Sequence, residues 1–305
     1  LLATIVVALL IVYFAAPQWL LRADFAWQAQ RAHLAKKSVQ AGDTRWSYYE
    51  GGKDGAPTLL LLHGFMDSKR VWLPAAQYLT QNFHVVIPDL PGWGASSRSA
   101  GADYGYAAQS QRLGAFVQAL HLGGFAIAGH SMGGAIAGLY AARHPQDIAA
   151  LVLVDSAGVP FKDNAFTREL ESGRSPFDVT DRAGFERLAK LASDAPPWLP
   201  PRFQDVFVAR AIRDRAFDDR VMRELTAPAQ RYALAAALPK ITGPTLAIWC
   251  RDDRIIDVSA LDAVRTGLTA APKIGVTEFN GCGHMAPLER PREIADAITR
   301  FVLMP

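Results

Sequence analysis

Short, mostly apolar runs fall at six places along the chain: Thr58–Gly64, His84–Gly92, Phe125–Ser131, Ala150–Gly158, Thr245–Cys250 and Ile274–His284. Each is short, rich in Val, Ile or Leu, and stopped by Gly, Pro, Asp or Cys. Strands that are apolar on both faces belong in a parallel sheet covered by helices. An earlier stretch, Thr44–Gly52, alternates polar and apolar residues as a half-exposed strand does. Between the runs lie segments with helical spacing: Arg70–Gln81, Ala107–His121, Gly134–Pro145, Ser259–Ala270 and Pro291–Val302. Strands and helices in alternation predict an open α/β fold.

The alternation stops between Val159 and Pro239. Here the segments 164–172, 181–193, 201–215 and 218–238 are helical and charged, and "APPWLPP" (195–201) divides them. This stretch reads as a helical cap inserted between two strands. The expected division is a core of 44–158 and 240–305, a cap of 159–239, and a segment of 22–43 as an amphipathic basic linker. Residues 1–21 stand apart. "LLATIVVALLIVYFAA" followed by "QWLL" is about 20 apolar residues, enough to span the hydrocarbon core of a bilayer. Trp19 and Trp27 with Arg22, Arg31, Lys36 and Lys37 resemble an interfacial belt and its basic flank. The segment is read as an uncleaved single-pass membrane anchor, of undetermined orientation. A signal peptide and a buried helix are the alternatives, and Pro17 makes a poor cleavage site after Ala16.

Composition adds exclusions. The formal charge is +3, so no polyanion is implied as a partner, and no basic run interleaved with aromatics suggests nucleic acid. Two cysteines, Cys250 and Cys282, make neither a disulfide scaffold nor a cysteine-based zinc cluster. No metal or cofactor is expected.

The chemistry centres on "IAGHSMGGAIAG", Ile127–Gly138. Gly129 and Gly134 have the glycine spacing of a phosphate loop, but Ala135 and Ile136 stand where that loop needs Lys and Ser or Thr. Ser131 stands where a dinucleotide fingerprint needs its middle glycine. What fits is G-x-S-x-G through Gly129, Ser131 and Gly133, a serine exposed on a tight strand-to-helix turn. Dehalogenase and epoxide-hydrolase chemistry would need an aspartate at that position.

A serine hydroxyl needs a base and an orienting acid, in the order Ser, Asp or Glu, His for this architecture. Of seven histidines, His284 follows the last apolar run in a glycine-rich turn suited to an exposed imidazole. His63 ends the first buried run, and His130 should point away from Ser131. His33, His84, His121 and His144 lie before the domain, at a strand entry or near helix ends. For the acid, Asp253 is preferred over Asp252, Asp257 and Asp155. The backbone N–H groups of Phe65, in "HGF", and Met132 are the candidates for an oxyanion hole.

The stretches "LLLLHGFMDSKRVW", "VIPDLPGWGAS", "AGHSMGG", "IWCRDDRIIDVSALD" and "GCGHMAPLERP" resemble the α/β-hydrolase superfamily. Within it they are similar to membrane-anchored monoacylglycerol lipases and bacterial family V lipases. The resemblance covers nearly the whole chain and is weakest in the cap. It implies an α/β-hydrolase fold with a mostly parallel sheet, and a cofactor-free serine esterase acting on monoacylglycerols or short- to medium-chain esters. By motif it carries the nucleophile onto Ser131, the acid onto Asp253, the base onto His284 and the hole onto Phe65 and Met132. Carbon–carbon hydrolysis of ring-cleavage products uses the same triad, and a non-catalytic tethered binding protein is a third reading. Relative to the family, Cys250 replaces a glycine. It is expected near Cys282, and two free buried thiols are expected rather than a disulfide.

Overall fold

The computed structural model describes residues 2–304; Leu1 and Pro305, the ends of the expected anchor and core, lie outside the described residues. The strands are β1 (Leu34–Ala41), β2 (Thr44–Gly52), β3 (Thr58–Leu62), β4 (His84–Pro88), β5 (Phe125–His130), β6 (Ile148–Val154), β7 (Thr245–Cys250) and β8 (Ile274–Phe279). They form one eight-stranded sheet in the order β1-β2-β4-β3-β5-β6-β7-β8. Pairing is antiparallel from β1 through β2 to β4 and parallel from β4 onward. The parallel strands β5 and β7 are buried along their whole length, which is why they read as unbroken apolar runs.

The helices are α1 (Leu2–Ala15), α2 (Pro17–Arg31), α3 (Leu73–Leu79), α4 (Tyr106–Ala119), α5 (Met132–Arg143), α6 (Ala165–Glu171), α7 (Arg182–Ala192), α8 (Pro201–Thr226), α9 (Ala233–Ala237), α10 (Ala260–Gly267), α11 (Ala286–Glu289) and α12 (Pro291–Leu303). One face of the sheet packs against α4 and α5, with Trp46, Phe116 and Trp249 buried there. The other packs against α3 and α12, with Trp72, Phe83 and Ile298 buried. At about 25 cal/mol per Å² of apolar surface removed from water, both faces are stabilised mainly by this burial. Helix α5 carries Gly134, Ala135, Ala137 and Gly138 and is buried along nearly its whole length. A Cβ on Gly138 would come 2.3 Å from Leu234 of α9, so only a small residue lets the two elements touch.

Helices α6 to α9 all fall between β6 and β7, where the sequence lacks strand signals. Asn164 caps α6 through the Thr167 N–H at 3.0 Å, and Asp181 caps α7 through the Gly184 N–H at 2.7 Å. They reach the sheet through aromatic contacts. Phe177 meets Phe65 with ring centroids 5.4 Å apart, and Phe217 meets Trp93 at 5.4 Å.

The N-terminal region differs from its sequence reading. The apolar run is broken at Ala16, and α1 and α2 meet at an angle of 112°. Pro17 is the cause, since it has no N–H for the helix ladder and clashes with the preceding turn. No single helix among the described residues is long and apolar enough to cross a membrane. Residues 22–43, expected as a linker, hold the end of α2 and the strand β1. Helix α2 packs on α3, β1 and α8. Helix α1 instead leaves Val6, Val7, Leu9, Leu10, Ile11 and Phe14 exposed. Its end touches α8, where Tyr13 stacks edge-on against Phe203 at 5.5 Å.

The cysteines also depart from expectation. Cys250 and Cys282 are bonded to each other, with Cα atoms 5.3 Å apart. The strand pairing causes this. Cys250 ends β7 opposite Phe279 of β8, which lies three residues before Cys282, and Gly281 between them bends the chain at φ 66°.

Candidate active site

Strand β5 passes into α5 through one residue, Ser131, whose backbone sits at φ 53° and ψ −120°. A non-glycine residue there costs on the order of 1–3 kcal/mol and persists only where its surroundings fix it. The Ser131 N–H donates to Val154 O at 2.9 Å, and Ser131 O accepts from Gly134 and Ala157 at 2.9 and 3.0 Å. The turn also needs space. A Cβ on Gly129 would lie 2.2 Å from Gly133 O, and one on Gly133 would lie 2.5 Å from His63 O. These close approaches are the physical content of the G-x-S-x-G spacing.

The tight turn aims Ser131 Oγ at His284, 2.9 Å from Nε2. His284 Nδ1 lies 2.7 Å from Asp253 Oδ2. The partners assign the protons: Nδ1–H donates to the carboxylate and Nε2 accepts from the hydroxyl. The other oxygen of Asp253 accepts from the Ile255 and Ile256 N–H groups at 2.8 and 2.9 Å. Trp249 holds that loop through Nε1–H to Ile256 O at 3.0 Å. All three side chains are buried, with residue exposures of 8 % for Ser131, 4 % for Asp253 and 5 % for His284.

The rejected acids have other work. Asp252 accepts from the Gly281 N–H at 2.9 Å, and Asp257 from Ser259 at 2.9 Å. Asp155 accepts from the Cys250 N–H at 2.8 Å. Burial, and after it the neighbouring Asp253 carboxylate, push Asp155 well above the usual carboxylate range.

The two candidate oxyanion donors converge on the same turn. A Cβ on Gly64 would lie 3.1 Å from Ser131 Cβ, so the Gly64–Phe65 peptide borders the serine. Met132 N–H is the first of α5, where the helix leaves its donors free and its dipole is positive. His63 fixes the Phe65 donor. Leu90 N–H donates to His63 Nε2 at 2.9 Å, so Nδ1 carries the ring proton and donates to Gly64 O at 2.7 Å. In a trans peptide the C=O and N–H point opposite ways, so anchoring Gly64 O sets the direction of the Phe65 N–H. Farther along this loop, buried Lys69 pairs with Asp89, which also accepts from the Lys69 N–H at 2.8 Å. Arg210 of α8 donates to Met66 O.

One contributor goes beyond the sequence reading. His130 donates Nε2–H to the His284 carbonyl at 2.7 Å, and the two rings lie 4.9 Å apart. The elbow pattern treats this position as variable. The available signal was a polar ring inside an otherwise apolar buried strand, which must find a partner.

A small cleft beside Phe65 is lined by Met66, Phe177, Val179 and Met222 together with Arg215, Asp218 and Asp219. A serine at a strand-to-helix turn and an acid and a histidine after the last two strands make a constellation known from one architecture. Residues 59–297 match the model of the alpha/beta hydrolase family. The chain belongs to the alpha/beta hydrolase family. Its relatives include monoacylglycerol lipase ABHD6 of Rattus norvegicus, 30 % identical over 297 residues, 94 % of this chain and 87 % of that one. Lipase 1 of Psychrobacter immobilis is 31 % identical over 281 residues, 90 % of this chain and 86 % of the lipase. Among solved structures, a membrane phospholipase A described as a bacterial virulence factor superposes with a TM-score of 0.90 at 36 % identity. That match covers 100 % of this chain and 97 % of the phospholipase. This alpha/beta hydrolase thus stands among lipases.

Burial pulls His63 from 6.5 to about 4 and His130 to about 3. Both are held neutral in the fold and take up protons on unfolding. Stability they contribute is complete above pH 6.5 and is lost as pH falls toward those values. Asp155 acts in the opposite sense: its raised pKa favours the fold at low pH, and that contribution is lost as pH rises toward the raised value. Asp67 and Asp218, each pushed up to about 6 by burial, also oppose the histidines over this window. The test is therefore a difference between proteins: from about pH 7 to about pH 4.5 the urea midpoint of His130→Gln should fall less, or rise more, than that of wild type. Parallel midpoint curves for the two proteins contradict the assignment.

Proposed function

We propose that this chain hydrolyses carboxylic esters of lipids through an acyl-enzyme on Ser131. The observation that carries the reading is the hydrogen-bonded series Ser131 Oγ, His284 Nε2, His284 Nδ1 and Asp253 Oδ2. Ser131 Oγ attacks the ester carbonyl as its proton passes to His284 Nε2. The carbonyl oxygen becomes an oxyanion and accepts from the Phe65 and Met132 N–H groups, each worth on the order of 3 kcal/mol. The tetrahedral adduct collapses, and His284 gives its proton to the leaving alcohol. Water then enters, His284 takes its proton, and the hydroxide attacks the acyl group. Carboxylic acid leaves and Ser131 regains its proton. Asp253 orients the imidazole and stabilises the imidazolium without itself taking the proton.

The monoacylglycerol lipase and lipase relatives support acyl esters of lipids, monoacylglycerols among them, as substrates. Residues 159–239, carrying α6 to α9, act as a cap, and their Phe177 packs on Phe65 beside the serine turn. Ser131→Ala should remove at least about 10⁴-fold of kcat on p-nitrophenyl esters and monoacylglycerols. Asp253→Asn should cost a similar factor through the wrong imidazole tautomer. Wild-type activity on neither substrate class, with turnover of a ring-cleavage product instead, moves the assignment to carbon–carbon hydrolysis.

The apolar face of α1 also supports membrane association, as does the phospholipase likeness. Trp19 and Trp27 are exposed, with Arg22 and Arg31 over their rings at 4.8 Å each. This is the pairing of amphipathic ring and cation that suits a headgroup layer. The full chain should float with phosphatidylcholine vesicles. Val6→Asp/Leu10→Asp should cut that binding at least about 10-fold, since each aspartate costs about 3 kcal/mol in hydrocarbon. Equal flotation of both proteins removes α1 as the contact.

A further inference from the structure

The disulfide sits where the acid and base loops leave the sheet. Cys250 is the last residue of β7, three before Asp253, and Cys282 is two before His284. Both cysteines are fully buried. The bond therefore ties the segment that presents the carboxylate to the segment that presents the imidazole.

The remaining ties on the base loop are polar. Gly281 N–H donates to Asp252 at 2.9 Å, and Arg290 donates to the Asn280 and Gly281 carbonyls at 2.9 Å each, all on exposed groups. Gly283 N–H donates to Glu289 at 3.0 Å, and Met285 N–H to Ala192 O at 3.0 Å. The exposed Gly281 and Arg290 bonds compete with water and hold position weakly, whereas the buried bond from His130 Nε2–H to the His284 carbonyl, 2.7 Å, fixes the backbone at the imidazole itself. β8, the strand from which the loop departs, is the edge strand of the sheet. An edge strand has a neighbour on one side only, so its outgoing loop has less to hold it than a central strand's would.

We propose that the Cys250–Cys282 disulfide is a positioning clamp that holds His284 in register with Asp253. Its burial puts the sulfurs out of reach of dissolved reductants while the domain is folded, so the clamp is permanent and not a switch. Disulfides persist in oxidising compartments and are kept reduced in most cytosols, so the clamp places the folding of this domain in an oxidising one. The groups facing His284 are Ser131, Asp253 and neutral His130, with Asp155, pushed well above the usual carboxylate range, behind Asp253 and Glu289 bonded to the preceding residue. The carboxylate bonded to the imidazole is the one that the clamp aligns.

The kinetic test rests on the ester-hydrolase reading; two other readouts do not. Alkylation of the full-length protein, denatured without reductant, should modify neither cysteine in the mass spectrum; modification of both overturns the proposal. Cys250→Ala/Cys282→Ala should lower kcat about 10-fold, with KM within about 2-fold, as sub-ångström misplacement of a catalytic group does. Its acidic kcat/KM limb should move to lower pH, because a loosened carboxylate supports the imidazolium less. The low-field proton resonance of His284 Nδ1–H should broaden or vanish. If that variant does not fold, Cys250→Val/Cys282→Ala, which refills the volume, takes its place. Unchanged kcat per active site with an unmoved limb and an unchanged resonance overturns the clamp, even if the protein melts at lower temperature. If the wild type hydrolyses no ester, the ester reading fails, and the thiol count and the resonance still decide the clamp.

Discussion

The turn at Ser131 constrains everything around it. One L-residue is held at positive φ between a buried strand and a buried helix, a conformation that unsupported chain abandons. Its support is the sheet itself: β6 accepts the serine N–H, and residues beyond β6 donate to its carbonyl. Its clearance comes from glycines whose missing side chains let β3, β5 and α5 touch. Strand order then follows as a functional requirement. β3, β5, β6 and β7 lie side by side with β8 beyond them, so their carboxyl ends deliver the Phe65 peptide, Ser131, Asp253 and His284 to one edge. Ligands gather at that edge in open α/β sheets for the same topological reason.

The electrostatics of the edge are economical. Four of the polar groups packed there, His63, His130, Asp155 and Asp253, are buried. His63 and His130 are kept neutral by desolvation, and burial pushes Asp155 well above the usual carboxylate range. Both shifts disfavour further charge beside the Asp253–His284 pair. Under the proposed mechanism, one oriented charge in a buried site acts strongly on the imidazolium. The neutral rings work instead as rigid spacers, His63 on the Gly64 carbonyl and His130 on the His284 carbonyl.

Much of this was legible in the sequence because burial writes a plain signal. The parallel strands inside the sheet are apolar on both faces, whereas the edge strand β8 is partly exposed along its whole length, and the elbow needs small residues at fixed spacing. Ser131, Asp253 and His284 are brought together at hydrogen-bond distance, as their loop positions implied. What escaped notice lacked such a signal. β1 is an antiparallel strand whose residues, apart from its two ends, are mostly exposed, so "LAKKSVQA" looks like linker. The break in the apolar run turns on Pro17, whose effect on a helix depends on whether neighbours compensate. His130 and His63 act through backbone carbonyls, and backbone partners leave no trace in side-chain patterns. The two cysteines are expected near each other but as free thiols; their bonding depends on the register of β7 against β8, which residues 32 apart do not encode locally.

The claim on which the rest depends is that Ser131 is the attacking atom. It is tested most directly by treating the protein with a fluorophosphonate probe and mapping the adduct by peptide mass spectrometry. One adduct per chain on the Ser131 peptide, absent from Ser131→Ala and slowed in Asp253→Asn, is the result predicted. An adduct on another residue, or none on wild type, would contradict it.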